Sequence, residues 1–281
     1  MNMRKSPTIK LAVSIVTYET CPHELATALR TLKSLPYRAI VTVIDNSSLN
    51  FLRECVEKTM PEAIYIHVQR NIGFGAGHNI ALKHSFQNNI LYHLVMNVDL
   101  EFTAETICTM TQFLNNHENC SAVTPRAFYP TGQEQYLSRK LPTPMNLVLR
   151  YLLPNASITK RLNYNYELQY LDRSKISSVP TASGCFLLMR MSTLQKVGVF
   201  DEGYFMYMED IDLTRRISDL SDIAYLPSVQ IIHKHSKGSF KKLKLFLHHV
   251  KSACRYFIKW GLFWILQKLL VTTKNGNAKY F

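Results

Sequence analysis

Leu11-Ala12-Val13-Ser14-Ile15-Val16-Thr17-Tyr18 is a short apolar, β-rich run that stops on polar residues. It has strand composition and no helical spacing, so it reads as a buried strand. Pro22 suits a first helical turn, and Leu25, Ala28, Leu29 and Leu32 form a helical stripe that ends before Pro36. Ile40-Val41-Thr42-Val43-Ile44 is a second strand, closing on Asp45-Asn46-Ser47-Ser48. A strand, a crossing helix and another apolar strand form the repeating unit of a parallel sheet.

The unit recurs along the chain. Phe51 to Lys58 reads as helix, and Ala63 to Val68 as a third strand running into Asn71-Ile72-Gly73-Phe74-Gly75-Ala76-Gly77-His78-Asn79. A helix to about Phe86 follows, then a fourth strand from Ile90 to Val98 that closes on Asn97-Val98-Asp99. Thr103 is placed to cap the next helix, and Ser121-Ala122-Val123 is a short fifth strand. The expected class is α/β, with a mostly parallel central sheet and flanking helices. Ligands of such sheets sit outside the carboxyl ends of the strands. The polar clusters Thr17/Tyr18, Asp45/Asn46, Asn71 to Gly77 and Asn97/Asp99 all fall at such ends, which points to a nucleotide site.

Residues 127–178 break the rhythm with four prolines, tyrosines and two Arg/Lys pairs, and read as a variable, partly helical segment covering one side of the site. Ser183-Gly184-Cys185 leads into a strand to Arg190, followed by a short helix from Ser192 to Val197. A further helix ends near Leu220, and a last strand near Val229 to Ile232 meets His233-Lys234-His235.

With 281 residues, 47% of them hydrophobic, the chain can bury one large domain, with or without an extension. Its six cysteines show neither a C-x-x-C pair nor metal-site spacing, which fits a reducing compartment. The short polar stretch before Leu11 predicts no secretory signal. No acidic residue follows Asp222, whereas eleven Lys and Arg do, so the net +13 belongs almost entirely to the end of the chain. The boundaries expected are a domain over 1–239 and a basic amphipathic region over 240–281. Its longest uncharged run, Trp260 to Gln267, is far short of the ~20 apolar residues of a membrane span. Lysines interleaved with Leu, Phe and Trp suit a helix on an anionic membrane surface. A helix packed on the domain, or a nucleic-acid contact, are the alternatives; the expectation is membrane and no nucleic acid.

Tyr204-Phe205-Met206-Tyr207-Met208-Glu209-Asp210-Ile211-Asp212-Leu213-Thr214-Arg215-Arg216 places three carboxylates behind a bulky apolar run. A dry wall beside carboxylates can shift a pKa or hold a general base, while acidic residues at a helix N-terminus also suit the helix dipole. Asp99 at a strand end is placed like a carboxylate that bridges Mg2+ or Mn2+ to a diphosphate. Asp45 could accept from a base or ribose, or simply close an Asx-turn. Gly73 and Gly75 would let backbone approach a ligand at a helix N-terminus, or merely make a turn. His233 and His235 could ligate a metal or contact a phosphate, with one of the two expected to reach the site.

Together, Val16-Thr17-Tyr18, Asp45 to Ser48, Asn71 to Gly75, Asn97-Val98-Asp99, Ser183-Gly184-Cys185 and Phe205 to Arg216 resemble the inverting family-2 glycosyltransferases of GT-A (Rossmann-like) fold. Among these, residues 10–260 are most similar to bacterial rhamnosyltransferases. The resemblance implies that Thr17, Tyr18 and Asp45 hold the nucleotide, with Asn71, Gly73, Gly75 and Asn97 along the ribose and diphosphate. It implies Asp99 and His233 as metal ligands and Asp210 as the base, with Glu209 the next candidate. Arg216 and His249 are expected near the acceptor or its phosphates, with Asp212 orienting Arg216 or capping the helix. Two departures from the family pattern are Glu19 in Thr17-Tyr18-Glu19 and Val98 in Asn97-Val98-Asp99; Glu19 would repel a diphosphate if it pointed inward.

The implied donor is dTDP-L-rhamnose. The implied acceptor is a polyprenyl-diphosphate-linked sugar, GlcNAc, in O-antigen or capsule assembly at the cytoplasmic face of the bacterial inner membrane, where the protein would be peripheral. A UDP-hexose or furanose donor, or a silent membrane-associated scaffold, are the other readings.

Overall fold

The computed structural model describes residues 11–234 and 243–261. The first half keeps the expected rhythm: β1 (Leu11–Thr17), α1 (Pro22–Lys33), β2 (Ala39–Asp45), α2 (Arg53–Thr59), β3 (Ile64–His67), α3 (Phe74–Gln87) and β4 (Tyr92–Met96). β5 (Leu100–Glu101), α4 (Ala104–Asn116) and β6 (Cys120–Phe128) follow, and Thr103 Oγ1 caps α4 by accepting from Thr106 N–H. The irregular segment holds β7 (Glu134–Gln135), β8 (Ser138–Arg139), α5 (Pro144–Leu152), α6 (Ser157–Tyr166) and β9 (Ser177–Ser178). The described chain ends with β10 (Thr181–Ala182), β11 (Phe186–Arg190), α7 (Met191–Val197), α8 (Glu209–Ser218), β12 (Asp222–His233) and α9 (Leu243–Trp260).

The main sheet runs β3-β2-β1-β4-β11-β6-β12-β5. β1 is parallel to β2 and to β4, with Thr17 beside Asp45 and Ile15 beside Met96, so their polar ends share one rim. β11 alone is antiparallel to both its neighbours there, and Phe186 at its start pairs with Met96 at the end of β4. That reversal delivers Ser183-Gly184-Cys185 to the same rim. Successive β-strand side chains alternate between faces. Leu11, Val13 and Ile15 therefore pack with α1, α2 and α4, while Ala12, Val95, Leu187 and Met189 pack with α3, α7 and α8.

Two strands are longer than the sequence suggests. β6 spans nine residues and β12 twelve, although Pro125 and Pro227 lie within them. β12 absorbs Pro227 in a register shift between Leu226 and Gln230, a bulge that keeps the pairing with β6 on both sides. An apolar sheet core also carries a polar chain no pattern announced: Ser14 Oγ lies 2.7 Å from His78 Nδ1 and 2.8 Å from His93 Nε2, and Ser85 Oγ lies 2.8 Å from His93 Nδ1. Burial pushes the His93 pKa down to about 3 and that of His78 well below its usual value, so both rings are neutral.

α9 shows, for residues 243–261, the packed alternative. Tyr256 is fully buried with Tyr204 and Met208, and Ser252 Oγ donates to Met206 O at 2.8 Å. Arg255 and Lys259 pair with Asp201, and Trp260 Nε1 donates to Asp212 at 2.8 Å. The helix therefore belongs physically to the domain assigned to 1–239. Among the described residues no helix is long and apolar enough to cross a membrane. Residues 235–242, among them His235, the residues before Leu11 and those after Gly261 lie outside the described residues, as do the expectations placed on them.

Tyr256→Ala should cost about 3–5 kcal/mol of stability, as for other large buried aromatics, read as a lower urea midpoint. Truncation before Leu243 should likewise lower the midpoint; an unchanged melt would show α9 to be dispensable to the fold.

Candidate active site

Thr17 and Asp45, neighbours across β1 and β2, are both fully buried. Thr17 Oγ1 lies 3.2 Å from Asp45 Oδ1, which also accepts from Ser47 N–H at 3.0 Å, and Tyr65 Oη donates to Asp45 Oδ2 at 2.6 Å. This is the Asx-turn alternative, with the carboxylate used to tie strand ends together. Both side chains are buried, at 1% and 0% exposure, and are engaged with each other and with the strand ends. Tyr18 is the member of that trio at the surface, 51% exposed. Glu19 is exposed too; its N–H donates to Ser47 Oγ, and its carboxylate holds the Tyr18 phenol above its usual pKa through a hydrogen bond and charge. Glu19 therefore does not point inward.

The glycines have protein neighbours. Gly73 has φ +95°, and a Cβ there would collide with the Phe205 carbonyl oxygen, which accepts from Phe74 N–H at 3.1 Å. At Gly75 a Cβ would lie 2.9 Å from Phe200 Cβ. Both glycines thus permit the loop before α8 to close on the N-terminus of α3. Asn79 clamps the same seam, donating to Phe200 O at 2.9 Å and accepting from Phe200 N–H at 3.0 Å. Asn71 Oδ1 accepts from Gly73 N–H at 3.0 Å and so shapes the turn.

Asp99 and His233 do meet. β5 and the end of β12 pair, and His233 Nε2 lies 3.4 Å from Asp99 Oδ1. His233 Nδ1 donates to Gln135 Oε1 at 2.9 Å, which orients the ring with Nε2 toward Asp99. Asn97 Nδ2 is 3.4 Å from the same Nε2. A carboxylate oxygen and an imidazole nitrogen aimed at one point suit a divalent cation that takes its remaining ligands from substrate and water. Among the described residues there is no group of three or more potential metal ligands.

Asp210 lies in the first turn of α8. Gly184 N–H donates to its Oδ2 at 3.1 Å, and Ile211 N–H to its Oδ1 at 2.8 Å. A Cβ on Gly184 would press on the Phe74 ring and on Asp210 Cβ, so the glycine sets how close the carboxylate comes. Tyr207 and Met208, just before α8, both adopt left-handed backbone with φ of 69° and 67°. Side chains there cost about 1–3 kcal/mol each and persist only where surroundings impose them. α9 supplies that grip: His248 stacks on Phe205 at 4.5 Å, Ser252 holds Met206, and His249 meets Tyr207 at 5.0 Å.

The adjacent acid differs. Glu209 is buried, and its Oε2 has no hydrogen-bond partner among the described residues. Burial first, then the Asp210 charge, push its pKa well above the ordinary carboxylate range. Burial thus favours the neutral form of Glu209. Arg216 donates to Val197 O at 2.5 Å, Val199 O at 2.8 Å and Asp212, which fixes the loop after α7. Asp212 does orient Arg216, as expected, and it does so from inside the helix.

His249 is half-buried beside two residues the sequence did not single out, Arg139 and Arg150, whose charges join burial in lowering its pKa. Both guanidiniums lie over the Tyr166 ring, at 5.9 and 5.1 Å. Gly184, Gln135 and Arg139 are the contributors that sequence reading missed. Only Gly184 carried a signal, as the glycine entering a strand.

The sequence profile described as "Glycosyl transferase family 2" matches residues 12–198. The chain is 28% identical over 255 residues to N-acetylglucosaminyl-diphospho-decaprenol L-rhamnosyltransferase of Mycobacterium tuberculosis, covering 85% of this chain and 81% of that one. It is 29% identical over 198 residues to rhamnosyltransferase WbbL of Escherichia coli, covering 66% and 70%. S. aureus TarS 1-349 superposes with a TM-score of 0.54 at 18% identity, over 80% of this chain and 60% of that one. GalNAc-T7, solved with UDP, GalNAc and Mn2+, gives 0.58 at 13% identity, over 82% of this chain and 44% of its own. At such identities the two structures speak to fold alone.

Glu209→Gln should retain turnover within about tenfold, whereas loss of a general base costs on the order of 10²–10⁴. A carboxyl whose folded pKa is raised favours the folded chain below its unfolded pKa and loses that contribution as pH rises through the folded value. Glu209→Gln should therefore gain stability relative to the parent as pH rises above the ordinary carboxyl value of about 4.5, measured by thermal melts; a parallel pH profile for the two would refute the protonated Glu209.

Proposed function

The chain belongs to glycosyl transferase family 2, and from that premise we propose that it transfers L-rhamnose from dTDP-L-rhamnose to GlcNAc on a polyprenyl diphosphate, with inversion. One observation carries the proposal. Gly184 N–H holds Asp210, while the adjacent Cys185 C=O accepts from Asn97 N–H at 2.8 Å beside the Asp99–His233 pair. A base and a cation site thus flank one dipeptide, the separation of roles an inverting transferase requires. The family assignment and the enzyme class rest on the sequence match; the donor and acceptor are drawn from the likeness to the mycobacterial rhamnosyltransferase.

Asp210 accepts the proton of the acceptor hydroxyl as that oxygen attacks the anomeric carbon opposite the leaving nucleoside diphosphate. Its two backbone donors keep the carboxylate pointed while the sugar arrives. Glu209, neutral alongside, adds no second anion to repel the forming charge. Asp99 and His233 would hold Mg2+ or Mn2+, which stabilises negative charge developing on the diphosphate. Tyr18, exposed at the rim, is the residue available to flank the nucleotide.

The acceptor class places the protein at the cytoplasmic membrane face, in O-antigen or capsule assembly. Support comes from the turn between α5 and α6, where Leu152, Leu153 and Ile158 are exposed apolar residues near Lys160 and Arg161. Apolar anchors flanked by cations suit an anionic interface.

The test is turnover of purified protein with a short-chain GlcNAc-diphosphate-lipid, offering dTDP-rhamnose and UDP-sugars separately. Transfer is expected from dTDP-rhamnose, abolished by EDTA, and reduced about 10²–10⁴-fold in Asp210→Asn with donor affinity nearly unchanged. Asp99→Asn should weaken donor binding in the presence of metal. Transfer from a UDP-sugar alone would overturn the rhamnose assignment, and equal loss of donor affinity in Asp210→Asn would make Asp210 structural.

A further inference from the structure

Resting on that reading of the acceptor, we propose that Arg139, Arg150 and His249 form a second anion subsite, one that takes the diphosphate of the lipid-linked acceptor beside Asp210. Arg139 comes from β8, whose partner β10 leads directly into Ser183-Gly184 and so to the Asp210 carboxylate. Arg150 comes from α5 and His249 from α9, so three separate elements converge here. Both guanidiniums share the Tyr166 ring, as noted above, and Arg139 is close enough to lower the basicity of Arg150, second only to burial.

Two carboxylates, Glu167 and Asp210, face the two guanidiniums in this corner and raise the basicity of Arg139 against its burial. Glu167 is the carboxylate paired with Arg150, at 3.0 Å, and its other oxygen accepts from Gln169 Nε2 at 2.8 Å. Arg139 Nε is buried and has no hydrogen-bond partner among the described residues. Tyr166 is kept neutral, its pKa raised by burial, and so offers no counter-charge. The remaining neighbouring anion is Asp210, which the reaction itself needs. Two guanidiniums, one committed carboxylate and a donor in want of an acceptor suit a planar-fork contact to phosphate oxygens.

This subsite is distinct from the place of the donor diphosphate. Gln135 orients His233 at the metal pair from the main sheet, whereas Arg139 lies on β8 in the separate two-stranded β10-β8 sheet. His249 also contacts Tyr207 in the strained approach to Asp210, so an anion seated here would touch the loop that aims the base.

The experiment has two arms on the full chain. In EDTA, inorganic pyrophosphate is titrated calorimetrically into the parent, Arg139→Gln, Arg150→Gln and Asp99→Asn. Arg139→Gln and Arg150→Gln should each weaken binding about tenfold or more, and Asp99→Asn should not; weakening by Asp99→Asn alone would place the anion at the donor site and overturn the proposal. In steady state, Arg139→Gln should raise the acceptor KM about tenfold for a GlcNAc-diphosphate-lipid, leave the donor KM unchanged, and have little effect on an octyl GlcNAc lacking phosphate. Equal loss with both acceptors would make Arg139 merely structural. Arg139→Lys, which keeps the charge and packing stem, should recover part of the binding. If pyrophosphate binding depends on Arg139 but no diphosphate lipid is glycosylated, the subsite stands and the proposed acceptor falls. If transfer proceeds with an unchanged acceptor KM in Arg139→Gln, the subsite falls and the transferase stands.

Discussion

The buried carboxylate of Asp212 is the point on which the active-site side of this fold depends. It accepts from Arg216 within α8, from Lys259 Nζ and from Trp260 Nε1 of α9, with no exposed surface of its own. A carboxylate taken out of water at this depth needs such donors, because desolvation otherwise outweighs any single attraction. Through Arg216 it also reaches the carbonyls of Val197 and Val199, which lead into the loop over α3. One charge thus fixes α8, α9 and the α7 exit relative to one another. Removing one partner would leave the others buried and uncompensated.

Around that node the left-handed pair Tyr207-Met208 becomes intelligible. The chain reaches α8 through a conformation that these residues would not choose, and it is pressed from two sides. Gly73, Gly75 and Asn79 seat Phe200 and Phe205 on α3, while His248, His249 and Ser252 hold residues 205–207 from α9. The strain lies one residue before Glu209 and two before Asp210. Two adjacent carboxylates at a helix start then receive opposite environments: one enclosed without a partner for Oε2, the other given two backbone donors. Such a division between neighbouring acids suits them to different tasks in one site.

Strand–helix periodicity was enough to read β1 through α4, because those elements are short, amphipathic or fully apolar and bounded by turn residues. β6 and β12 were cut short in that reading since proline ordinarily argues against a sheet interior, and only three-dimensional pairing reveals a bulge that tolerates it. The reversed β11 was equally hidden, as strand direction depends on connections rather than on composition. At the site, Asp99, His233 and Asp210 were legible as residue types at strand ends and a helix start. The protein contacts of Thr17, Asp45, Gly73, Gly75 and Arg216 were not, because a motif records which residues recur together, not which of them touch each other. Arg139 lay in a segment without rhythm and could be found only by its neighbours.

The same lesson applies to charge. Read as a string, the end of the chain is a run of cations without acids, as a membrane-seeking tail would be. In the fold, Arg255 and Lys259 are spent on Asp201 and Asp212, acids from residues that look nearly neutral in sum. Their partners lie more than 40 residues away, so no local window could pair them. The apolar face of α9 is likewise divided, with Tyr256 buried and Leu247, Val250 and Ile258 exposed. A helix that gives one face to the domain has only the other to offer a membrane. In the attachment proposed above, the exposed leucines between α5 and α6 weigh as much as the basic run, because interfacial binding scales with apolar area as well as with charge. Since α5 also carries Arg150, the surface proposed to meet lipid and the corner proposed to hold the lipid's phosphates are built on one short helix.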